Sequence, residues 1–348
     1  MRRRTEGSAH PGDPRHEGGA DTSAPGICAT ICTHDRPVQL ERALRSLLAQ
    51  RVPPDEILIV DNAPSDDRAR ALVREKFSAA RYVAESIPGL DFARNRALRT
   101  TAQPVVAFTD DDAVADKEWI ARIGQAFLEQ PGAVVCTGRV DPLALETEGQ
   151  RLFEANGGLA SPGRERLRLP ADEPRLGWRR YQPYVAWAAR IGNGCNLAVR
   201  RDFALSLGGF DEALDLGAAL PGGGDTDFLW RVLEAGGSVV YEPEALVRHE
   251  HRRERDAVVD QILGHQRGLI ASLTKAVLRG RGRRRAPALA FLCWRLLKPG
   301  VRLVRRALGR DPLPASLLLR IWWHCWRGLG AYAIGERVAR ERRQGSFS

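Results

Sequence analysis

Of the 348 residues, 43% are hydrophobic and 28% are charged, which excludes a wholly disordered chain and allows one large domain or two smaller ones. The net charge of +10 is unevenly spread: residues 251–348 hold 22 Lys and Arg against 6 Asp and Glu, whereas residues 1–250 hold 31 against 37. A mildly acidic main part and a strongly basic C-terminal part therefore present two different surfaces.

The N-terminus and the cysteines narrow the class of protein further. We expect residues 1 to about 25 to form a disordered leader, because they offer little to bury and lack the apolar core of a secretion signal. No apolar stretch reaches the roughly 18 residues of a membrane span. The six cysteines show no C-x-x-C and no paired Cys/His spacing, which indicates reduced thiols in a cytosolic protein.

Strands and helices alternate from Ile27 onward. Apolar runs predict strands at 27–33, 56–60, 81–83, 105–109, 134–136 and 238–241. Helical periodicity is found at 38–50, 65–76, within 89–102, from 116 and at 225–235. Strands separated by helices of this length indicate βαβ units and a Rossmann-like, mainly parallel sheet flanked by helices. Over residues 141–190, Pro, Gly and Arg interrupt short apolar segments, which predicts long loops with some helix.

A change in composition near residue 252 predicts a domain boundary. We expect an α/β domain over 26–251 and an Arg-rich amphipathic helical extension over 252–348. Helical segments at 286–297 and 315–335 combine Leu and Ala faces with Trp, Arg and His. Such helices either pack against the main domain or lie on a membrane surface, and the sequence leaves both open.

Three consecutive carboxylates, Asp110, Asp111 and Asp112, follow the apolar run at 105–109. Strand ends are where open α/β sheets collect ligand-binding residues. Neighbouring carboxylates repel one another unless a cation lies between them, and a hard divalent cation suits such oxygen ligands. The alternative is a solvated acidic turn that caps the next helix.

Six short motifs occur in a fixed order along residues 27–251. They are ICTHDRP at 31–37, VDN at 60–62, ARN at 93–95, DDD at 110–112, GGFD at 208–211 and GDTD at 224–227. This series resembles the family 2 glycosyltransferases, which are inverting, nucleotide-sugar-dependent enzymes of GT-A fold. The resemblance implies transfer of a sugar from a nucleoside diphosphate sugar, usually a UDP-sugar, to a hydroxyl acceptor.

The same resemblance implies a set of donor-binding residues. Asp61 would accept a hydrogen bond from the base, Thr33 would line the nucleotide pocket, and Asp110 would contact the ribose with Asp111 assisting. The planar fork of Arg94 suits a pyrophosphate, or else it pairs with nearby acids. Thr33 and Asp61 could instead be ordinary turn residues.

Asp112 is the implied ligand of Mg²⁺ or Mn²⁺, and a late histidine, His249, is the implied second ligand. A cation that bridges the phosphates of the donor would stabilise the charge that develops on the leaving diphosphate. The alternative for His249 is a surface histidine in a basic segment.

Asp225 is the implied general base, which takes a proton from the attacking hydroxyl group. The family usually has Glu-Asp at this place, whereas here Gly224 replaces the Glu, so we expect an unusual acceptor or impaired activity. Asp225 and Asp227 could instead be acids favoured by the helix dipole, and Asp227 is the second candidate base. Asn196, in a glycine-containing loop at 192–196, either touches a sugar or satisfies buried backbone groups.

The favoured hypothesis is an inverting glycosyltransferase of cell-envelope or lipid-linked glycan synthesis. We expect it in the cytoplasm, with the basic extension attached peripherally to the inner face of the cell membrane. One alternative is a catalytically idle nucleotide-sugar-binding module, suggested by Gly224. Another is a basic nucleic-acid-binding protein, suggested by Arg clusters at 281–285 and 302–310. No reader motif accompanies these clusters, so we expect no nucleic-acid partner.

Overall fold

A computed structural model of the protein describes residues 23–159, 162–170, 184–280 and 285–345. All but the last three residues of the predicted leader lie outside these ranges. The strands are β1 (Ile27–Thr33), β2 (Glu56–Asn62), β3 (Ala80–Glu85), β4 (Val105–Asp110), β5 (Ala113–Ala115), β6 (Ala133–Pro142), β7 (Leu167–Leu169), β8 (Asn196–Arg200) and β9 (Ser238–His249). The helices are α1 (Pro37–Leu48), α2 (Arg68–Lys76), α3 (Leu90–Thr100), α4 (Trp119–Glu129), α5 (Glu148–Ala155), α6 (Tyr184–Ala188), α7 (Arg201–Ser206), α8 (Gly224–Glu234), α9 (Arg255–Arg279), α10 (Arg285–Ala307), α11 (Ala315–Gly328) and α12 (Ala331–Gly345).

The described strands form one mixed sheet in the order β3-β2-β1-β4-β8-β6-β9-β5, with β7 paired to β9. Parallel pairing links β3, β2, β1 and β4, as predicted, and also links β6 to β9. Strand β8 is antiparallel to both β4 and β6, and β5 and β7 are antiparallel to β9. Parallel strands need a crossover connection, whereas the sequence before β8 predicts long loops with only some helix.

Both faces of the sheet are buried. Alternate residues of β1 divide between two cores: Ile27, Ala29 and Ile31 pack with α1 and α4, whereas Cys28 and Cys32 pack with α3 and α8. Burial on both faces explains why the first strands are continuous apolar runs without polar alternation. Their carboxyl ends meet at one edge, and the site described below lies along this edge.

The basic C-terminal helices join the second of these cores. Helix α9 buries an apolar face that includes Val258, Ile262 and Leu273, and α10 and α11 pack against it with Leu292, Leu296, Leu318 and Ile321 buried. These helices therefore pack against the main domain, which is one of the two alternatives that the sequence leaves open. The opposite sides of α10 and α11 are exposed. Among the residues that the structure describes, no helix is long and apolar enough to cross a membrane.

Candidate active site

Strands β1 and β2 end side by side, with Thr33 and Asp61 in register. The Thr33 hydroxyl group donates a hydrogen bond to Asp111 Oδ2 at 2.8 Å. The Tyr82 hydroxyl group donates to Asp61 Oδ2 at 2.7 Å, while Asp61 Oδ1 is buried without a hydrogen-bond partner among the described residues. Burial raises the pKa of Asp61. A buried acceptor that lacks a donor is costly unless a ligand supplies one.

The acidic triple is divided between two environments. Asp110 ends β4, where burial and the neighbouring Asp112 raise its pKa to about 7. Arg36 Nη1 lies 3.2 Å from Asp111 Oδ1 and 3.0 Å from Asp112 Oδ2, so one guanidinium bridges two of the carboxylates. The pKa of Asp111 is raised by burial and by Asp112. Mutual repulsion in the triple is thus only partly compensated by protein groups.

His249 reaches the acidic triple because β9 is longer than its sequence suggested. The predicted strand stopped at 241, before Pro243, but β9 continues past an irregularity in its pairing with β6 and ends at His249. The antiparallel β5–β9 register then places His249 opposite Ala113. His249 Nε2 consequently lies 3.1 Å from Asp112 Oδ1.

A second histidine orients the first. His249 Nδ1 lies 3.2 Å from His251 Nδ1, and His251 Nε2 lies 2.7 Å from Glu154 Oε1. Because a carboxylate can only accept, we assign the His251 proton to Nε2, which leaves His251 Nδ1 as the acceptor for His249 Nδ1–H. His249 Nε2 then faces Asp112 Oδ1, where the carboxylate raises the pKa of His249, and it offers a lone pair to a metal when this nitrogen is deprotonated.

The donor set of this site fits a divalent cation. One ligand atom each from Asp110, Asp112 and His249 lie within 4.8 Å of one another. Two carboxylates and an imidazole suit a cation such as Mn²⁺ or Mg²⁺, with the remaining positions left for phosphate and water oxygens.

Arg94 lies on α3 in the wall between the acids and is almost fully buried. Its Nη1 donates to Asp91 Oδ1 at 2.9 Å and to Asp215 Oδ2 at 3.2 Å. Burial alone would lower the pKa of Arg94, but Asp91 and Asp215 outweigh burial and raise it. Two interpretations of Arg94 were open, and the described contacts agree with pairing to nearby acids.

Asp225 is the second residue of α8 and follows a run of glycines. Gly222 and Gly223 have φ of +84° and +99°, and a Cβ on Gly223 would lie 2.6 Å from the carbonyl oxygen of Gly268 on α9. The backbone conformation favours glycine at both positions, and the close approach of α9 requires it at the second. The Gly194 N–H donates to Asp225 Oδ2 at 2.9 Å, and the Thr226 N–H donates to Oδ1 at 2.6 Å. The backbone thus fixes a half-buried carboxylate at the helix N-terminus.

The second candidate base has different surroundings. Asp227 is 1% exposed, and its carboxylate lies between Lys275 Nζ, at 2.6 Å, and Arg231 Nε, at 2.8 Å. A carboxylate enclosed by two cations has a structural role and cannot reach an acceptor.

Position 224, where the family usually has Glu, offers no room for a side chain. A Cβ on Gly224 would lie 2.0 Å from Asp91 Oδ2 and 2.4 Å from Asp215 Oδ2. Asp215 also accepts a hydrogen bond from the Gly224 N–H at 3.0 Å and has φ of +50°, an uncommon conformation for a residue with a Cβ. Carboxylates from two other segments therefore fill this space, and the wall stays acidic without the Glu.

Two adjoining clefts open along this edge of the sheet. The smaller cleft, of about 530 Å³, is lined by Thr33, Arg36, Asn62 and Asp110–Asp112 among others. The larger cleft, of about 770 Å³, is lined by Arg94, Asp110, Asp215, Asp225 and His249 and by side chains of α9 and α10. Asp110 and Asp215 line both clefts. Asp61, 1% exposed, lines neither and lies next to Thr33.

The predicted site residues therefore gather at one edge, and several partners were not predicted. Arg36 belongs to the motif at 31–37 but had no predicted role. His251 lies two residues after His249 and was not predicted to belong to the site. Asp91, Asp215 and Glu154 carried no local signal, because their contacts depend on long-range packing. Asn196 satisfies buried backbone: its amide donates to the carbonyl groups of Arg139 and Ala245, one of its two expected roles.

The fold and the site define a GT-A α/β protein with an aspartate–histidine cluster at the strand ends. Residues 28–206 match the sequence profile of glycosyl transferase family 2, and the chain belongs to this family.

Known proteins resemble the chain over part or most of its length. The succinoglycan biosynthesis protein ExoM of Rhizobium meliloti (strain 1021) is 32% identical over 234 residues, which cover 63% of this chain and 65% of that protein. The pre-mycofactocin glycosyltransferase of Mycobacterium tuberculosis is 31% identical over 162 residues, 47% of this chain and 30% of that protein. The chain thus spans less than two thirds of either relative.

A solved mannosyltransferase structure resembles the chain over most of its length. The mannosyltransferase PcManGT from Pyrobaculum calidifontis, in complex with GDP-Man and Mn²⁺, superposes with a TM-score of 0.56 at 18% identity, with 92% of this chain and 88% of that chain covered. This likeness confirms the predicted GT-A fold.

Proposed function

We propose that this protein is an inverting glycosyltransferase that moves a sugar from a nucleoside diphosphate sugar to a hydroxyl acceptor. The observation that carries the proposal is the placement of Asp110, His249 and Asp225 around one cleft, with Asp110 shared with the adjoining smaller cleft. A cation-binding cluster and a backbone-held carboxylate on one cavity are the two groups that the reaction needs.

The smaller cleft is the proposed nucleotide site. Thr33 and Asp110–Asp112 line it, and the buried Asp61 Oδ1 next to it would be satisfied by an N–H of the base. Uracil is our first choice of base through the family resemblance, whereas PcManGT was solved with the guanosine compound GDP-Man. We assign Arg94 to the wall that separates the diphosphate from Asp91 and Asp215.

Asp110, Asp112 and His249 are the residues that would hold Mg²⁺ or Mn²⁺. When bound, such an ion neutralises charge on the departing diphosphate. His251 and Glu154 keep the His249 ring in place, and Arg36 supplies a further positive charge beside Asp111 and Asp112.

Asp225 is the proposed general base. As the acceptor oxygen attacks the anomeric carbon, its proton passes to the Asp225 carboxylate, and the bond from that carbon to the diphosphate breaks with its electron pair on the phosphate oxygen. Attack from the side opposite the leaving group inverts the anomeric centre. The Gly194 and Thr226 N–H groups keep the carboxylate oriented during this transfer.

The proposed setting is cytoplasmic synthesis of a cell-envelope polysaccharide or lipid-linked glycan. The printed name of ExoM, a succinoglycan biosynthesis protein, supports a polysaccharide product, and ExoM is matched over more of its length than the mycobacterial relative. Residues 26–251 would supply the donor site and the base, and residues 252–348 would complete the larger cleft.

Nucleotide binding is the first test of this function. In a thermal-shift screen of UDP, GDP, dTDP and ADP with and without Mn²⁺, we expect one diphosphate to raise the melting temperature strongly and only when Mn²⁺ is present. At a ligand concentration of 100 Kd, binding stabilises the folded state by about 2.7 kcal/mol. Asp112→Asn should remove the effect of Mn²⁺.

The matched control for this screen is Asp202→Asn, an exposed acid on α7 away from both clefts. A strong shift without turnover on any acceptor would favour the idle nucleotide-sugar-binding module. Absence of a shift with all four diphosphates, in the presence of Mn²⁺, would contradict the proposed function altogether.

The exposed side of α10 supports peripheral membrane attachment. Leu289, Leu297, Val301 and Val304 of α10 and Leu308, directly after its last residue, recur at helical spacing and are 44–63% exposed. These five residues are here called the α10 stripe. Exposed Arg305, Arg306 and Arg310 lie beside the stripe in the chain. An apolar stripe flanked by cations is complementary to an anionic bilayer surface.

Vesicle binding tests this attachment. The full chain should sediment with vesicles of phosphatidylglycerol and much less with phosphatidylcholine, because the Arg side chains attract anionic headgroups. Replacing Leu297, Val304 and Leu308 by Gln should weaken binding at least about tenfold. The control replaces the exposed Val38, Leu48 and Val52 of the main domain by Gln. Equal binding by both triple variants would contradict a role for the α10 stripe.

A further inference from the structure

The larger cleft has a basic wall that the proposed reaction does not yet use. Helix α10 contributes to its lining Phe291, Trp294, Arg295, Lys298, Pro299 and Arg302. Arg295 and Lys298 are three residues apart and therefore lie on one face of the helix.

Neither of these two cations has a carboxylate partner among the described residues. Arg295 Nη2 donates to Gln266 Oε1 at 2.8 Å, while its Nε is buried without a hydrogen-bond partner. Burial lowers the pKa of Arg295 and lowers that of Lys298 to about 8. The charged neighbours that act on Lys298 are mainly further cations, Arg295, Arg302 and Arg190.

Arg302 provides a contrast on the same helix. It is paired with both carboxylate oxygens of Asp311, at 2.8 and 3.0 Å, and also binds Asn156 Oδ1. The fold therefore neutralises one cation of this wall and leaves Arg295 and Lys298 uncompensated. Half-buried cations without a counter-charge are disfavoured, so an anionic ligand would complement them.

The two cations lie outside the smaller cleft, although Asp110 and His249 of the proposed cation site also line the larger one. Arg295 and Lys298 do not line the smaller cleft, where Thr33 and Asp111 lie, but share the larger cleft with Asp225. A ligand bound to them is therefore on the side of the proposed base, which is the acceptor side.

We propose that Arg295 and Lys298 bind a phosphate or diphosphate group of the acceptor, so that the enzyme glycosylates acidic, phosphate-bearing acceptors. This proposal rests on the proposed function and names its acceptor class. A guanidinium fork beside an ammonium group is a common phosphate site. The phosphate could belong to a lipid carrier or to a soluble sugar phosphate. Exposed Trp294 and Leu297 flank Arg295 and would accommodate a lipid chain.

Calorimetric titration of the full chain in EDTA tests the site with farnesyl phosphate, farnesol and glucose 1-phosphate. We expect farnesyl phosphate to bind at least about tenfold more tightly than farnesol, because only the phosphate offers charged acceptor oxygens to the two cations. Arg295→Gln and Lys298→Gln should each weaken it by about tenfold or more, and Arg295→Lys should retain part of the affinity. Arg337→Gln, an exposed cation on α12 that lines neither cleft, is the matched control.

The affinity of each variant for UDP or GDP with Mn²⁺ is measured in parallel and should not change. Equal binding of farnesol and farnesyl phosphate overturns the proposal. Loss of nucleotide affinity in the variants also overturns it, because the two cations would then belong to the donor site. Binding of glucose 1-phosphate as tight as that of farnesyl phosphate supports a soluble phosphate acceptor. If Arg295→Gln does not fold, the farnesyl phosphate affinity of Lys298→Gln, at a partly exposed position, tests the proposal instead. Failure of the proposed function would appear separately, as absent nucleotide binding by the wild type.

Discussion

Replacing Asp225 by Asn should lower kcat by about 10²–10⁴-fold while leaving nucleotide affinity unchanged, because a general base contributes a factor of this size to the chemical step. Asn has nearly the same shape and can still accept the N–H of Gly194 or Thr226, so the helix terminus should stay in place. Donor turnover at saturating acceptor measures the loss of activity. A thermal shift with the nucleoside diphosphate and Mn²⁺ reports on the integrity of the donor site.

Asp227→Asn is the informative comparison, since it removes the second candidate base. Its carboxylate lies between Lys275 and Arg231, so this change should cost about 1.5–3 kcal/mol of unfolding free energy by weakening two charged contacts. Lys275 keeps its ion pair with Asp211, and Arg231 keeps its hydrogen bonds to two backbone carbonyl groups. Any protein that remains folded should keep most of its kcat. If Asp225→Asn stayed active while folded Asp227→Asn was inactive, the assignment of the base would be reversed.

The sequence was sufficient for the elements that depend on local patterns. Continuous apolar runs predicted β1, β2 and β4, and each run stopped at the polar residue that now stands at the sheet edge, Thr33, Asp61 or Asp110. Parallel pairing of neighbouring strands then brings such residues together without further information. For this reason the location of the site, if not its contacts, could be predicted.

Contacts that depend on distant segments could not be predicted. The predicted strand covered only 238–241, yet β9 continues to His249, and only the β5–β9 pairing carries His249 to Asp112. The choice between a pyrophosphate and nearby acids for Arg94 stayed open, because nothing local indicated Asp215, which lies 121 residues away in the chain. The role of His249 was inferred from family resemblance and not from periodicity.

The surroundings of Gly224 could not be predicted from the sequence either. Loss of the usual Glu suggested an unusual acceptor or a weakened enzyme. The sequence shows that this carboxylate is absent, but it does not show which groups occupy the space. The carboxylates of Asp91 and Asp215 stand there instead. Gly224 is therefore one part of a rearranged acidic wall, and its neighbours must be considered with it.

Restoring the family residue by Gly224→Glu should consequently abolish activity and destabilise the fold. Its Cβ would lie 2.0 Å from Asp91 Oδ2, and a third carboxylate would join two whose pKa burial already raises. Overpacking alone costs about 1–3 kcal/mol, so Gly224→Ala should show a loss of this size without the added charge. Denaturant unfolding and donor turnover measure the two effects.

Gly132→Ala is the control for this series, because a Cβ there meets nothing within 4 Å. Its unfolding free energy should stay close to that of the wild type. A Gly224→Glu protein that was as stable as the wild type and more active would mean that Asp91 and Asp215 readily move aside. Position 224 would then be an ordinary gap in the family pattern. The reverse outcome identifies Asp91, Asp215 and Gly224 as a co-adapted set, in which the enzyme keeps its acidic wall by drawing the carboxylates from other segments.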